Sequence, residues 1–352
     1  MNNTLFFGSI MALAAASCAN ATQPANCTLS VNLSPDDDGI YVYLTDYDSG
    51  AKVDSALVDN GVAKFNKSVT TPYYARLLVE GQRIGDIFIE PAKINVTPAE
   101  RKFESNGSLN SSLEEMQNKL GAIVTEFRAL PQDSTSAERA EILSKRYDAI
   151  LDSTMTANID NALGYLLFIS NAQNYDLAEL DAALAKYPKF KDSQRVKSIR
   201  QRLVVKDETS VGHKYKDFAI TNDGKTQKLS DFIGNDHYTL VDFWASWCGP
   251  CIREISVIKK LYEKYNGKGL NFLGVAVWDE PQNTLKAIED HQIPWDVIVN
   301  AQTIPTDLYG ISGIPCIILI APDGTIVSRD QQDEDLVRDV EQAMSEFNKA
   351  NE

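Results

Sequence analysis

Tyr238-Thr239-Leu240-Val241-Asp242-Phe243-Trp244 is an apolar run broken by a single acid, and Trp247-Cys248-Gly249-Pro250-Cys251 follows it after two residues. The run reads as a buried strand. The amphipathic stretch from Ile252 to Tyr265 reads as a helix. A C-x-x-C at a strand-to-helix turn suits thiol chemistry. The first turn of a helix offers unpaired N–H groups and a partial positive charge. A Cys248 thiolate placed there is stabilised and titrates below a free cysteine. Cys251 lies one turn further in, close enough to close a disulfide. The first sulfur attacks a partner disulfide, and the second resolves the mixed disulfide.

Zinc is the obvious rival. A structural zinc site needs four ligands, whereas the chain has three histidines (His213, His237 and His291) and no second C-x-x-C. A static disulfide would not need Gly-Pro between its cysteines. The formal net charge of −15, with no basic stripe, argues against nucleic acid and against electrostatic docking on anionic lipid. No Gly-rich nicotinamide or flavin fingerprint is present, so no cofactor is expected.

Further features agree in order and spacing. Val241 to Cys251 resembles the active-site segment of the thioredoxin superfamily. Tyr309-Gly310-Ile311-Ser312-Gly313-Ile314-Pro315 resembles its loop carrying a cis-proline. The apolar runs Cys316 to Ala321 and Thr325 to Ser328, around Pro322-Asp323-Gly324, give a hairpin signal. Glu254, three residues after Cys251, is similar to an acid of the TlpA/ResA branch, as is the opening from Val211-Gly212 through Asp217-Phe218 to Leu229-Ser230. The resemblance covers about residues 208–350 and implies an α/β thioredoxin-like fold. It also implies a βα insertion, with a strand over 271–278 and a helix over 282–291 ahead of 295–299.

Site roles follow from that resemblance and from the residue chemistry. Asp242, buried in an apolar strand, should have a raised pKa and accept the Cys251 proton. Glu254 is a second candidate for that role; which acid dominates stays open. Pro315 is expected cis, leaving the Ile314 backbone to pair with an extended substrate segment. Trp247, Gly249 and Pro250 complete the substrate-facing rim, while strand alternation puts Trp244 in the core. Cys316 follows the proline where the family often has Thr. It reads as a small buried strand residue, or as a candidate third thiol beside the pair.

The N-terminus runs apolar and small from Leu5 to Ser17, the length of a signal-peptide core and too short to span a bilayer. Ala15-Ala16-Ser17-Cys18 resembles a lipobox, which would make Cys18 a lipidated N-terminus. Ala19-Asn20-Ala21 offers the alternative, cleavage before Thr22. The lipoprotein reading is preferred. Either one implies export to the bacterial cell envelope, facing the periplasm, with membrane attachment only through the lipid. Cys27 and Cys316 are then left over.

The first two hundred residues differ in texture. Short alternating runs recur at 28–33, 40–44, 62–65, 74–79, 84–89 and 94–97, separated by turn-rich pieces, and read as an antiparallel β-sandwich or barrel. The piece from Asp54 to Phe65, with Ile89-Glu90-Pro91, resembles the DUF4369 domain. From about residue 108 the period turns helical: Leu113, Met116, Leu120, Ile123, Val124 and Phe127 share one face. Expected bounds are a leader over 1–21, a β-sandwich over 22–105, a helical linker over 106–207 and a thioredoxin domain over 208–352.

The implied activity is thiol–disulfide exchange on exported proteins, at the reducing end. Gly-Pro between the cysteines and Ile314 before Pro315 resemble reducing thioredoxins. Expected partners are disulfide-bonded exported proteins, with the cysteines of apocytochrome c among the candidates, and a membrane thiol carrier as electron donor. An oxidase or isomerase of the same fold, and a lipoprotein binding module with a regulatory redox domain, are the alternatives. A peroxidase is disfavoured because Pro-x-x-x-Thr-x-x-Cys does not end at Cys248.

Overall fold

The computed structural model describes residues 25–131, 136–234 and 236–351. The leader, with Cys18 and both cleavage readings, lies outside them. The chain divides into two compact units, one ending at Asn171 and the other beginning at Ala172. The division falls within the stretch read as one helical domain.

The first unit opens with eight strands: β1 (Ala25–Asn32), β2 (Tyr41–Asp46), β3 (Lys52–Asp59), β4 (Val62–Val69), β5 (Tyr73–Val79), β6 (Gln82–Ile89), β7 (Lys93–Thr97) and β8 (Lys102–Ser105). They form one sheet in the order β6-β5-β2-β3-β4-β1-β7-β8. Alternation buries Leu29 and Val31 of β1, Val42 and Leu44 of β2, Ala75 and Leu77 of β5, and Ile94 and Val96 of β7 in a single core. One curled sheet, a half-barrel, thus takes the place of two stacked ones. It is mixed, because β1 runs parallel to β7. Strands β3 and β8 are absent from the sequence runs; both are largely exposed or half-buried.

Helices α1 (Ser108–Arg128), α2 (Ala137–Ala157) and α3 (Ala162–Ala172) follow. Met116, Leu120 and Ile123 of α1 are buried, but Val124 and Phe127 are exposed, so the stripe is narrower than its period suggests. The helix starts at Gly107, which has no capping side chain. Glu90 supplies the cap from the end of β6. Its carboxylate accepts the N–H groups of Leu109 (3.0 Å) and Asn110 (2.9 Å) and the Asn110 Nδ2 (2.8 Å). A Cβ at position 107 would lie 2.1 Å from Glu90 Oε1, so glycine is required there. Asn110 also donates to the Phe88 carbonyl and accepts the Phe88 N–H. The DUF4369-like Ile-Glu-Pro motif is therefore a helix-to-sheet latch. Glu90→Ala should cost about 2–3 kcal/mol in chemical denaturation, because it strands buried donors.

The second unit holds α4 (Leu177–Lys186), α5 (Gln194–Asp207), β9 (Ala219–Asn222), β10 (Lys225–Lys228), β11 (Tyr238–Trp244), α6 (Gly249–Tyr265), β12 (Leu270–Ala276), α7 (Pro281–Asp290), β13 (Asp296–Ile298), α8 (Ile304–Tyr309), β14 (Cys316–Ile320), β15 (Ile326–Arg329) and α9 (Asp333–Asn351). Strands β9 and β10 pair as a hairpin, and the main sheet runs β13-β12-β11-β14-β15. β11 is central, parallel to β12 and antiparallel to β14. Leu240 and Trp244 share a core with Ile255 and Ile258 of α6 and with Leu336 and Val340 of α9. Val241 and Phe243 point the other way, toward Phe218 and Tyr309. Buried Arg329 donates to the carbonyls of Thr209 and Tyr309 (both 2.7 Å), tying the ends of α5 and α8 together.

Candidate active site

Cys248 is the residue that starts α6. Its backbone is extended and it stands at the N-cap, with Gly249 and Pro250 next in line. Proline fits the first turn because its missing N–H would have no partner there. The Cys248 Sγ lies 3.2 Å from the Cys251 N–H, where a capping oxygen would normally sit. A thiolate at that atom would accept this N–H and face the positive end of the helix, both of which favour the charged sulfur as nucleophile.

Cys248 and Cys251 are joined as a disulfide, S–S 2.05 Å. Cys251 is buried on the same stripe of α6 as Glu254, Ile255, Ile258 and Leu261. The pair is framed by the features the sequence singled out. The Ile314–Pro315 bond is cis. Cys248 Sγ lies 3.7 Å from the Ile314 carbonyl oxygen. Ile314 itself lies outside the β11–β14 ladder, which reaches only to Cys316. Trp247 is 62% exposed, and Trp244 is fully buried.

Asp242 lies on the α6 side of β11, because it alternates with Val241 and Phe243 and shares the direction of Leu240 and Trp244. It is 2% exposed, and its Oδ1 has no hydrogen-bond partner. Burial, followed by the nearby Glu254 charge, pushes its pKa up to about 8. Glu254 is buried as well, and its Oε1 accepts the Asp333 N–H at the start of α9 (3.0 Å). Burial raises its pKa, and the Asp333 bond opposes the rise. Both acids lie on the disulfide side of the sheet.

Cys316 is placed elsewhere. Its Cα partner across the ladder is Phe243, and Asp242 is opposite Ile317. The thiol therefore faces the Phe243–Tyr309 side, away from the disulfide side, and donates to Asp330 Oδ1 (3.1 Å). Burial and the Asp330 charge raise its pKa well above that of a free thiol. The packing reading describes this residue, and the third-thiol reading does not: a buried, protonated thiol is a poor nucleophile. Cys316→Ala should leave exchange kinetics unchanged and lower stability by about 1 kcal/mol, read by thermal or chemical unfolding. Cys27, the other unassigned cysteine, is likewise free and buried.

The two residues before Cys248 are held by a junction that the sequence reading does not single out. The Trp247 indole Nε1 donates to the Trp278 carbonyl (2.9 Å), and Ser246 donates through both its backbone N–H (2.8 Å) and its hydroxyl (2.9 Å) to Asp279. An acid closing the apolar strand Leu270–Ala276 was the available clue. Among the described residues, no group of three or more His, Cys, Asp or Glu could hold a metal, and no helix is long and apolar enough to cross a membrane.

Comparisons with known proteins bear on both units. Residues 211–329 match the AhpC/TSA family, and residues 27–119 match a domain of unknown function, DUF4369. The thiol-disulfide oxidoreductase ResA of Geobacillus thermodenitrificans is 28% identical over 122 residues, covering 34% of this chain and 69% of that one. ResA of Geobacillus kaustophilus is 28% identical over 140 residues, 39% of this chain and 79% of that one. Among solved structures, the thioredoxin domain of a thiol-disulfide oxidoreductase from Bacteroides vulgatus is 31% identical (TM-score 0.35), covering 38% of this chain and 96% of that one. The AhpC/TSA match falls on the unit that carries Cys248 and Cys251, a thioredoxin-like thiol-disulfide oxidoreductase domain similar to ResA, and the DUF4369 match falls on the first unit, ahead of it.

Proposed function

We propose that the chain is an exported disulfide reductase. The observation that carries this reading is the Cys248–Cys251 disulfide at the α6 N-terminus, with unpaired Asp242 buried on the same side of the sheet. In the reduced protein, the Cys248 thiolate attacks a substrate disulfide and expels one substrate thiolate, which takes up a proton. Cys251 gives its proton to Asp242, or to Glu254, and attacks Cys248 Sγ. The second substrate thiol leaves, so the substrate gains the two electrons that the cysteine pair loses. A protonated Asp242 in the disulfide form is the state this transfer would leave behind. Trp247, Gly249, Pro250 and the Ile314–Pro315 segment would hold the substrate as an added strand.

Direction rests on the Gly-Pro dipeptide, which places no charged side chain between the sulfurs. Proposed substrates are disulfides of exported proteins, with the paired cysteines of apocytochrome c as one case. The proposed donor is a membrane thiol carrier. The leader, lipidation at Cys18, the envelope location and the module bounds 22–105, 106–207 and 208–352 belong to the same proposal. The test is turnover: the pre-reduced full chain should release two thiols per disulfide from a misbridged protein, and failure to release any would sink the reading.

A second reading is favoured by a cavity of about 370 Å³ in the first unit, lined by Tyr47, Tyr73, Tyr74, Tyr165, Leu166 and Ile169. Here the front modules capture a partner, and the redox domain regulates that capture. Loss of partner capture on removal of residues 22–205, with thiol chemistry intact, would favour it.

A further inference from the structure

We propose that Asp279 is a positioning residue for the Cys248 loop, which makes the β12–α7 junction the part of the insertion that sets the nucleophile's place. This rests on the exchange reaction proposed above. Asp279 is buried and accepts four hydrogen bonds. Oδ1 takes the Ser246 hydroxyl (2.9 Å) and the Glu280 N–H (2.9 Å); Oδ2 takes the Ser246 N–H (2.8 Å) and the Thr284 hydroxyl (2.8 Å). Each oxygen therefore meets one backbone N–H. An amide of the same shape would set an NH₂ group against a backbone N–H in either flip, so only a carboxylate satisfies the site.

Ser246 and Trp247 are the two residues before the nucleophile. Asp279 holds the first by both its backbone and its side chain. Trp278 holds the second through its carbonyl, from a left-handed conformation (φ 53°) that a bulky side chain rarely adopts. Strained backbone of this kind persists where its surroundings fix it, and here it turns a carbonyl toward the exposed Trp247 ring. Gln302 Nε2 in turn donates to the Asp279 carbonyl (2.7 Å), bracing the junction from the segment before α8. Two adjacent residues of one turn thus anchor the two that lead into Cys248, leaving the sulfur little freedom relative to the α6 N-terminus and Ile314.

Asp279→Asn tests this in the full chain, with Ser328→Ala as a control that removes a part-buried bond from β15 to Asp339 of α9. The readouts are kcat/KM for reduction of a protein disulfide and the indole ¹H–¹⁵N resonance of Trp247, assigned with Trp247→Phe. Asp279→Asn should lower kcat/KM about tenfold and shift the indole resonance, while Ser328→Ala does neither. Equal losses in both variants, or an unmoved resonance, would overturn the proposal. If Asp279→Asn does not fold, Ser246→Ala carries the test, with a smaller loss and the same direction of shift. The resonance needs no activity, so a wild-type chain that reduces nothing would sink the functional reading while leaving Asp279 testable.

Discussion

Cys248→Ser should lower disulfide exchange by about a thousandfold or more, because no second sulfur can take over the attack. Cys251 is buried beneath it, Cys316 faces the other side of the sheet, and Cys27 is buried in the first unit. A serine hydroxyl at the N-cap accepts the same N–H but does not ionise near neutrality. Cys251→Ser should behave differently. The attack would still occur, but resolution would stop, and the protein should accumulate as a mixed disulfide with its substrate, visible as an adduct by mass spectrometry. Residual turnover near wild type in Cys248→Ser, or an adduct formed through Cys251 in that variant, would reverse the two roles.

Asp242→Asn should change stability in a way that depends on pH. The carboxyl is raised in the folded, oxidised protein from 3.8 to about 8. Between those values the unfolded chain has released this proton and the folded chain still holds it. The folded state binds more protons, so stability falls as pH rises through that window and levels off above about pH 8. At about 1.4 kcal/mol per pH unit, the accumulated penalty is roughly 6 kcal/mol. The asparagine variant lacks this slope, so its advantage over wild type should grow from pH 4 to pH 8, read from denaturant melts at fixed pH. Parallel curves would contradict the raised pKa. In activity, resolution by Cys251 should slow about a hundredfold if Asp242 is its base. Unchanged resolution would pass that role to Glu254, whose variant Glu254→Gln should then show the loss.

Much of the redox unit was legible because its signals are local. The run Tyr238 to Trp244 is both the apolar segment and the whole of β11, and the amphipathic period after Cys251 is α6. Asp242 stood out as an acid in an apolar strand, and burial has the expected effect on it. The missed features are those that local patterns do not encode. The parallel pairing of β1 with β7 joins segments far apart in the chain, and nothing in either strand marks its partner. Strand β3 alternates too weakly for its two faces to be told apart. The side that Cys316 faces depends on its register opposite Phe243, a relation between strands rather than a property of either. Asp279 and Ser246 are 33 residues apart, and only the folded sheet brings them together. Glu90 capping α1 is the same kind of case, a motif recognisable by resemblance whose purpose appears once the helix stands beside it.

The central claim is that this pair donates electrons, and the equilibrium reduction potential of Cys248–Cys251 tests it most directly. The measurement uses the chain from Thr22 with Cys27 and Cys316 replaced by serine, equilibrated against defined thiol–disulfide buffers. A value near that of thioredoxin, about −270 mV, is the result expected for a reductase. A value near that of DsbA, about −120 mV, would contradict it: the gap is about 7 kcal/mol, enough to reverse the flow and make the protein an oxidant of its partners.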